Sequence, residues 1–124
     1  MAVAECRWAQ PADAEGFWAD REEDYRAVGY AGGPPPPPEQ IGLLHLPPEA
    51  RSLFAEQATR RYPFQVCYSA ADYLANLATQ SGTYGLGKAR STEFLARVRR
   101  RLEALGWPSP TATFIGQLVV GRRK

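Results

Sequence analysis

The stretch that decides the fold is Tyr62–Thr83, YPFQVCYSAADYLANLATQSGT. Phe64, Val66 and Tyr68 alternate with Gln65 and Cys67, the period of a strand packed on one face, so a strand is predicted over Tyr62–Tyr68. Ser69 follows at once, and Asp72 stands three residues on. That is a capping box in its carboxylate form, in which the Ser69 hydroxyl accepts a first-turn N–H and Asp72 reaches back. Tyr73, Leu74, Leu77 and Ala78 then share one helical face. Ser81-Gly82 ends the run, because glycine enters the left-handed region without a Cβ penalty. Physics alone therefore gives a strand leading into a short helix that packs back on a core. The stretch holds no nucleophile beside a base and no metal-ligand cluster.

Upstream, Pro47-Pro48 suit the start of a helix, where a missing N–H costs nothing, and Ala50, Leu53, Phe54 and Ala58 form an apolar stripe for it. His45, the sole histidine, lies between Leu44 and Leu46, a setting for a structural side chain rather than a metal ligand or base. Residues 32–38, GGPPPPP, form a low-complexity loop: prolines in series hold a polyproline conformation and enter neither helix nor central strand. An internal spacer is expected there, rather than a domain boundary or a ligand for an SH3-type groove. Pro11–Val28 reads as a helix with Phe17, Trp18, Tyr25 and Val28 near the helical period and Asp20–Asp24 as a solvated face. Trp18 and Tyr25 are core candidates by packing, and pocket-lining candidates by the habit of aromatic rings in small-molecule sites. Ala2–Trp8 is a strand beginning without a preceding polar arm.

Downstream, Gly82–Gly87 could be mistaken for a phosphate loop, but it follows a helix and is read as a turn. Arg90–Leu105 is the strongest helix, with Phe94, Leu95, Val98, Leu102 and Leu105 on one face and Gly106 at its stop. Arg97, Arg99, Arg100 and Arg101 cover the other side. They sit near the negative end of the helix dipole with no aromatic platform interleaved, so a solvated face is expected rather than a nucleic-acid surface. Thr111–Val120 is nearly continuous in apolar character, the mark of a strand interior to its sheet, and Gly121–Lys124 is a solubilising tail. The order is strand, helix, loop, helix, strand, helix, helix, strand: a single α/β domain over residues 1–124, with three strands and four helices.

Composition bounds the function. The 124 residues carry 15 Lys plus Arg against 13 Asp plus Glu, a net charge of +2 that implies no nucleic-acid partner. No segment has the length and apolarity to span a bilayer, and no secretory signal is visible. Cys6 and Cys67 lie far apart without a CxxC pattern, so two half-buried thiols in a reducing cytoplasm are expected.

The aromatic-proline-aromatic strand, the run YSAADYLANLATQSGTYGLG, the arginine-bearing helix and the final strand ending in GRRK together carry a resemblance. From Ala2 to Lys124 the chain resembles the C-terminal part of a class I S-adenosylmethionine-dependent methyltransferase. The subgroup is that of small-molecule enzymes of actinobacterial type, related to the trans-aconitate methyltransferase group. The resemblance implies part of a Rossmann-like sheet of seven strands, with Ala2–Trp8, Tyr62–Tyr68 and Thr111–Val120 as the fifth, sixth and seventh. The spatial order would be first-last-middle, the last strand antiparallel. That the most apolar of the three belongs in the middle agrees with the pattern independently of the motif.

The resemblance also implies what to seek for function. A family cofactor site needs a glycine-rich turn after an apolar strand and an acid at a later strand end. The glycine clusters here, Gly29–Gly33 and Gly82–Gly87, have neither context, so this chain alone is expected to bind no S-adenosylmethionine and to be inactive by itself. The half represented shapes the methyl-acceptor side. Trp18, Tyr25, Tyr73 and Ser81 are its pocket candidates, and only Tyr73 and Ser81 belong to the matched stretch. No catalytic residue and no metal ligand is assigned. The parent activity implies a small-molecule methyl acceptor. The other class of function is a stand-alone interaction module, whose strand edge Ala2–Trp8 completes the sheet of a partner chain.

Overall fold

The computed structural model describes residues 1–11, 16–30 and 32–124. Its elements are β1 (Ala2–Ala9), α1 (Phe17–Ala27), β2 (Phe54–Cys67), α2 (Ala70–Thr79), α3 (Ser81–Tyr84), α4 (Lys88–Ala104) and β3 (Thr111–Arg123). They divide between two compact units, one built on the sheet and one helical, with the proline run passing from the helical unit at Pro34 to the sheet unit at Pro35.

The sheet unit has three strands in the order β1-β3-β2, with the last strand in the middle. β3 runs antiparallel to β1 in an unbroken register from Ala2↔Val120 to Ala9↔Thr113. It also runs antiparallel to β2, since Lys124 N–H donates to Leu53 C=O at one end and the Phe64 ring stacks on Phe114 at the other. Side chains alternate between faces along each strand. On one face Trp8, Phe114 and Phe64 put one ring per strand in a row, with centroids 5.2 Å and 5.3 Å apart. On the other, Ile115 packs with Ala9 and Ile41, while Val119 and Leu46 are buried. The buried Gln117 fastens the loop above this face. Its Nε2 donates to Gly42 C=O at 2.9 Å and to Glu5 at 3.3 Å, and its Oε1 accepts the Leu44 N–H at 3.1 Å.

The expected helix after Pro47-Pro48 is not formed. Those prolines open a single 3-10 turn, Pro48–Ala50, and the chain enters β2 at Phe54. Ala, Glu, Gln and Arg favour helix locally, but this segment is held extended from outside. Glu56 accepts the Leu46 N–H, the Thr59 hydroxyl donates to Leu44 C=O, and the Arg61 guanidinium donates to the carbonyls of Pro38 and Ile41. The strand read over Tyr62–Tyr68 is thus the second half of a 14-residue strand that ends at Cys67. Pro63 lies within it, on a strand at the margin of the sheet, the one place where proline's missing N–H is tolerated. β3 also runs past its expected end, so Gly121–Arg123 belong to the strand rather than to a loose tail. Both cysteines are exposed rather than half-buried.

In the helical unit α4 packs against α1, α2 and α3. Phe94, Val98 and Leu102 are buried on its inner face as their spacing predicts, but Leu105, the C-cap, is exposed. The helix ends in a Schellman motif: Trp107 N–H donates to Leu102 C=O and Gly106 N–H to Glu103 C=O, with Gly106 at φ 78°. Ser69 caps α2 as read, its hydroxyl accepting the Asp72 N–H at 3.1 Å. The end of α2 differs. Gln80 in extended conformation stops it, and Gly82 sits inside α3 without a left-handed φ. A Cβ there would lie 3.3 Å from the Tyr30 hydroxyl, so close approach, not backbone conformation, favours glycine. The helix read over Pro11–Val28 spans Phe17–Ala27; Pro11 is not helical, and residues 12–15 lie outside the described residues. Among the described residues four α-helices are present as expected, but α3 takes the place of the one expected near residue 50. No described helix is long and apolar enough to cross a membrane.

Candidate functional site

On α1, Trp18, Arg21 and Tyr25 fall three and four residues apart, so all lie on one face. The face turns inward. Trp18 and Arg21 are buried, and α2 brings the fully buried Tyr73 against them. Arg21 Nη1 donates to the Tyr73 hydroxyl at 2.6 Å. Its guanidinium carbon lies 4.9 Å from the centre of the Trp18 ring and 5.1 Å from that of Tyr25, within cation–π range. Trp18 meets Tyr73 edge to face at 5.6 Å, and Phe17 does the same at 5.5 Å. Tyr25 continues the group to Phe94 of α4 at 4.4 Å and to Tyr30 at 4.9 Å. The result is a cation enclosed by aromatic faces.

The electrostatics follow from that enclosure. Burial pushes the Tyr73 hydroxyl well above the usual tyrosine range, and the Arg21 cation only partly offsets it. Tyr25 shifts upward for the same reason, with Arg21 again opposing. Burial also works against the charge on Arg21, but Tyr73, Tyr25 and Glu22 together outweigh it, and Arg21 remains a fixed cation. Both phenols are neutral donors or acceptors at physiological pH, neither of them a base. With Trp18, Arg21 and Tyr73 at most 7% exposed, the group is packed interior, and the Arg21 charge faces the rings and hydroxyl around it. The group has no nucleophile.

Three of the four pocket candidates, Trp18, Tyr25 and Tyr73, therefore meet in one cluster. Ser81 does not join it: exposed at the first position of α3, its side chain makes none of the cluster's hydrogen bonds. The organising residue is Arg21, which the sequence places with Asp24 in a solvated run, whereas both are buried. The signal was present in the spacing. Positions 18, 21, 25 and 28 mark one stripe, and Arg21 lies on it while Asp24 borders it.

Asp24 organises a second cluster. Its carboxylate takes both arms of Arg101, Nε to Oδ2 at 2.8 Å and Nη2 to Oδ1 at 3.1 Å, while Arg97 Nε stands at 3.5 Å. Asp20 and Glu23 stand 3.7 Å and 3.8 Å from the same Arg101. The Asp24 hydrogen bond, opposed by burial, holds Arg101 above its ordinary value. A cavity of about 370 Å³ opens here between α1 and α4, lined by Asp20, Asp24, Arg97, Arg100 and Arg101. Arg97 and Arg101 are committed to the carboxylates of α1, whereas Arg100 lines the opening and is exposed. The expected solvated arginine face is corrected for Arg97 and Arg101, while Arg99 and Arg100 are exposed as expected.

His45 is exposed rather than set among apolar side chains, and its Nδ1 lies 3.0 Å from Glu56 Oε1. Among the described residues no group of three or more His, Cys, Asp or Glu is placed to hold a metal ion. Comparison of the chain with family models, curated proteins and solved structures found no match.

Proposed function

We propose that the chain forms the C-terminal, acceptor-side part of a class I S-adenosylmethionine-dependent methyltransferase fold. The observation that carries the reading is the strand order. The last strand lies between the other two and runs antiparallel to them, as the fifth, seventh and sixth strands of that fold do. The motif run Tyr68–Gly87 supports it independently.

The residues present do not fit the cofactor. Gly82–Gly87 follows α2, lies partly in α3 and never succeeds a strand, so it lacks the strand–turn–helix context in which backbone approaches an adenosyl group. The reading assigns the cofactor to the other half of the fold. What this chain contributes is orientation and exclusion of water. Methyl transfer depends chiefly on alignment of the acceptor, and Trp18, Tyr25 and Tyr73, packed about Arg21, would brace the acceptor side from within rather than touch the acceptor.

Two measurements test this. The DNA preceding the Met1 codon, translated in every frame, should encode an apolar strand, a glycine-rich turn and a helix, with an acid ending the next strand. A sequence without them removes the reading. Calorimetry of the 124-residue chain with S-adenosylmethionine should give no specific heat, and one-to-one micromolar binding would refute the assignment of the cofactor elsewhere. A second reading, an interaction module that completes another sheet, is favoured by one observation: β1 pairs with a strand on one side only.

A further inference from the structure

The cavity between α1 and α4 holds unused polar groups of both signs. Asp20 and Asp24 stand one turn apart on α1, while Arg97, Arg100, Arg101 and Ala104 recur at intervals of one turn along α4, with Leu105 beside them. Asp24 and Arg101 satisfy each other, since two arms of the guanidinium end on the two carboxylate oxygens. The other charged groups at the mouth are less well served. Arg97 turns its Nε toward Asp24 at 3.5 Å, and that nitrogen is buried without a hydrogen bond. Among the described residues the two Nη nitrogens of Arg97 meet no acceptor, and the exposed Arg100 guanidinium has neither hydrogen bond nor ion pair. The Asp20 carboxylate, 55% exposed, has only the Arg101 contact at 3.7 Å, too long for a hydrogen bond.

Charge chooses among ligands. Asp20, Glu23 and Asp24 balance Arg97, Arg100 and Arg101 one for one. A simple anion or a simple cation brings a charge that this set leaves unmatched. A molecule bearing one charge of each sign keeps the balance and meets both kinds of unused group. Ala104 and Leu105, both exposed, add an apolar floor next to the guanidinium groups. The volume of about 370 Å³ is the size of a small-molecule site.

We propose that this cavity binds a small zwitterion of the amino-acid class with an apolar side chain. The ligand's carboxylate accepts from the free N–H groups of Arg97 and Arg100, whose planar forks match it. Its ammonium donates to Asp20, and its hydrocarbon part covers Ala104 and Leu105. The inference goes beyond the methyltransferase reading and does not rest on it. None of these residues belongs to the group of Trp18, Tyr25 and Tyr73, so an empty cavity leaves the family proposal standing.

NMR titration of the whole chain with L-leucine should give saturable shifts of the Arg97 and Arg100 side-chain signals and of the Ala104 and Leu105 amides, in the millimolar range. Isocaproate, which is leucine without its ammonium, and isoamylamine, which is leucine without its carboxylate, should each bind several-fold more weakly. Asp20→Asn should weaken leucine several-fold and leave isocaproate unchanged, whereas Arg100→Gln should weaken both. Both side chains are exposed, and unchanged spectra away from the cavity confirm that each variant keeps its fold. Absence of a saturable shift with leucine overturns the proposal. So does isocaproate binding as tightly as leucine, the mark of a bare anion site, or leucine binding that is indifferent to either variant.

Discussion

In the helical unit Trp18 and Tyr73 are buried with a cation between them, whereas in the sheet unit Tyr62 and Phe64 stand 55% and 43% exposed. The polar groups differ too. The helical unit buries two opposite charges, Arg21 and Asp24, each with its own partners; the sheet unit buries a neutral amide, Gln117, that clasps a loop. Helices approach through whole side chains and can surround a charged group with donors and rings. A sheet covered by one irregular segment has carbonyl and amide groups to satisfy, and a primary amide matches them.

The contrast breaks most readily at Asp24. Asp24→Ala removes the two-armed partner of the part-buried Arg101, and urea unfolding should show a loss of about 2.5 kcal/mol, the scale of hydrogen bonds to a charged group. Gln117→Leu keeps the volume but orphans the Leu44 N–H and the Gly42 carbonyl, with an expected loss of about 2 kcal/mol. If Gln117→Leu proved the costlier, the charged cluster would not be the better-anchored of the two.

Tyr73→Phe should cost about 1.5 kcal/mol, because Arg21 loses its 2.6 Å acceptor. It should also alter the alkaline limb of stability. The folded chain keeps the Tyr73 proton after the unfolded chain releases it, so stability is unaffected below an unfolded value of about 10 and falls as pH rises beyond it. Melting curves of the variant should decline less steeply there than those of the parent. The smallest effect belongs to the sheet unit. The hydrogen bond to His45, and then the Leu46 N–H, hold the Glu56 carboxyl below the usual carboxylate range. Its contribution is present above the unfolded value of about 4.3 and is lost as pH falls through the lower folded value. Glu56→Gln should therefore differ from the parent at neutral pH and converge with it in acid.

Where a structure-determining partner lies within a few residues, the sequence is a sufficient guide. Ser69 finds its N–H three residues away, Phe94, Val98 and Leu102 repeat within one helix, and the nearly continuous apolar run of Thr111–Val120 announces a central strand. The reading fails where the partner is distant. Phe54–Arg61 is built of residues at ease in a helix, and its extension depends on backbone groups at Pro38, Ile41, Leu44 and Leu46. The candidate site divides likewise. Its rings were legible as apolar positions on α1 and α2. Arg21 was not, because a charge inside a charged run looks like surface until the stripe is counted through it.

The proline at position 63 reaches further than the strand that contains it. Indefinite stacking of sheets into a filament requires every subunit to offer two receptive borders, and here one of them includes a residue with no hydrogen to give. Addition of further strands at that border is interrupted at Pro63, so crowding the chain should yield no fibre grown through β2.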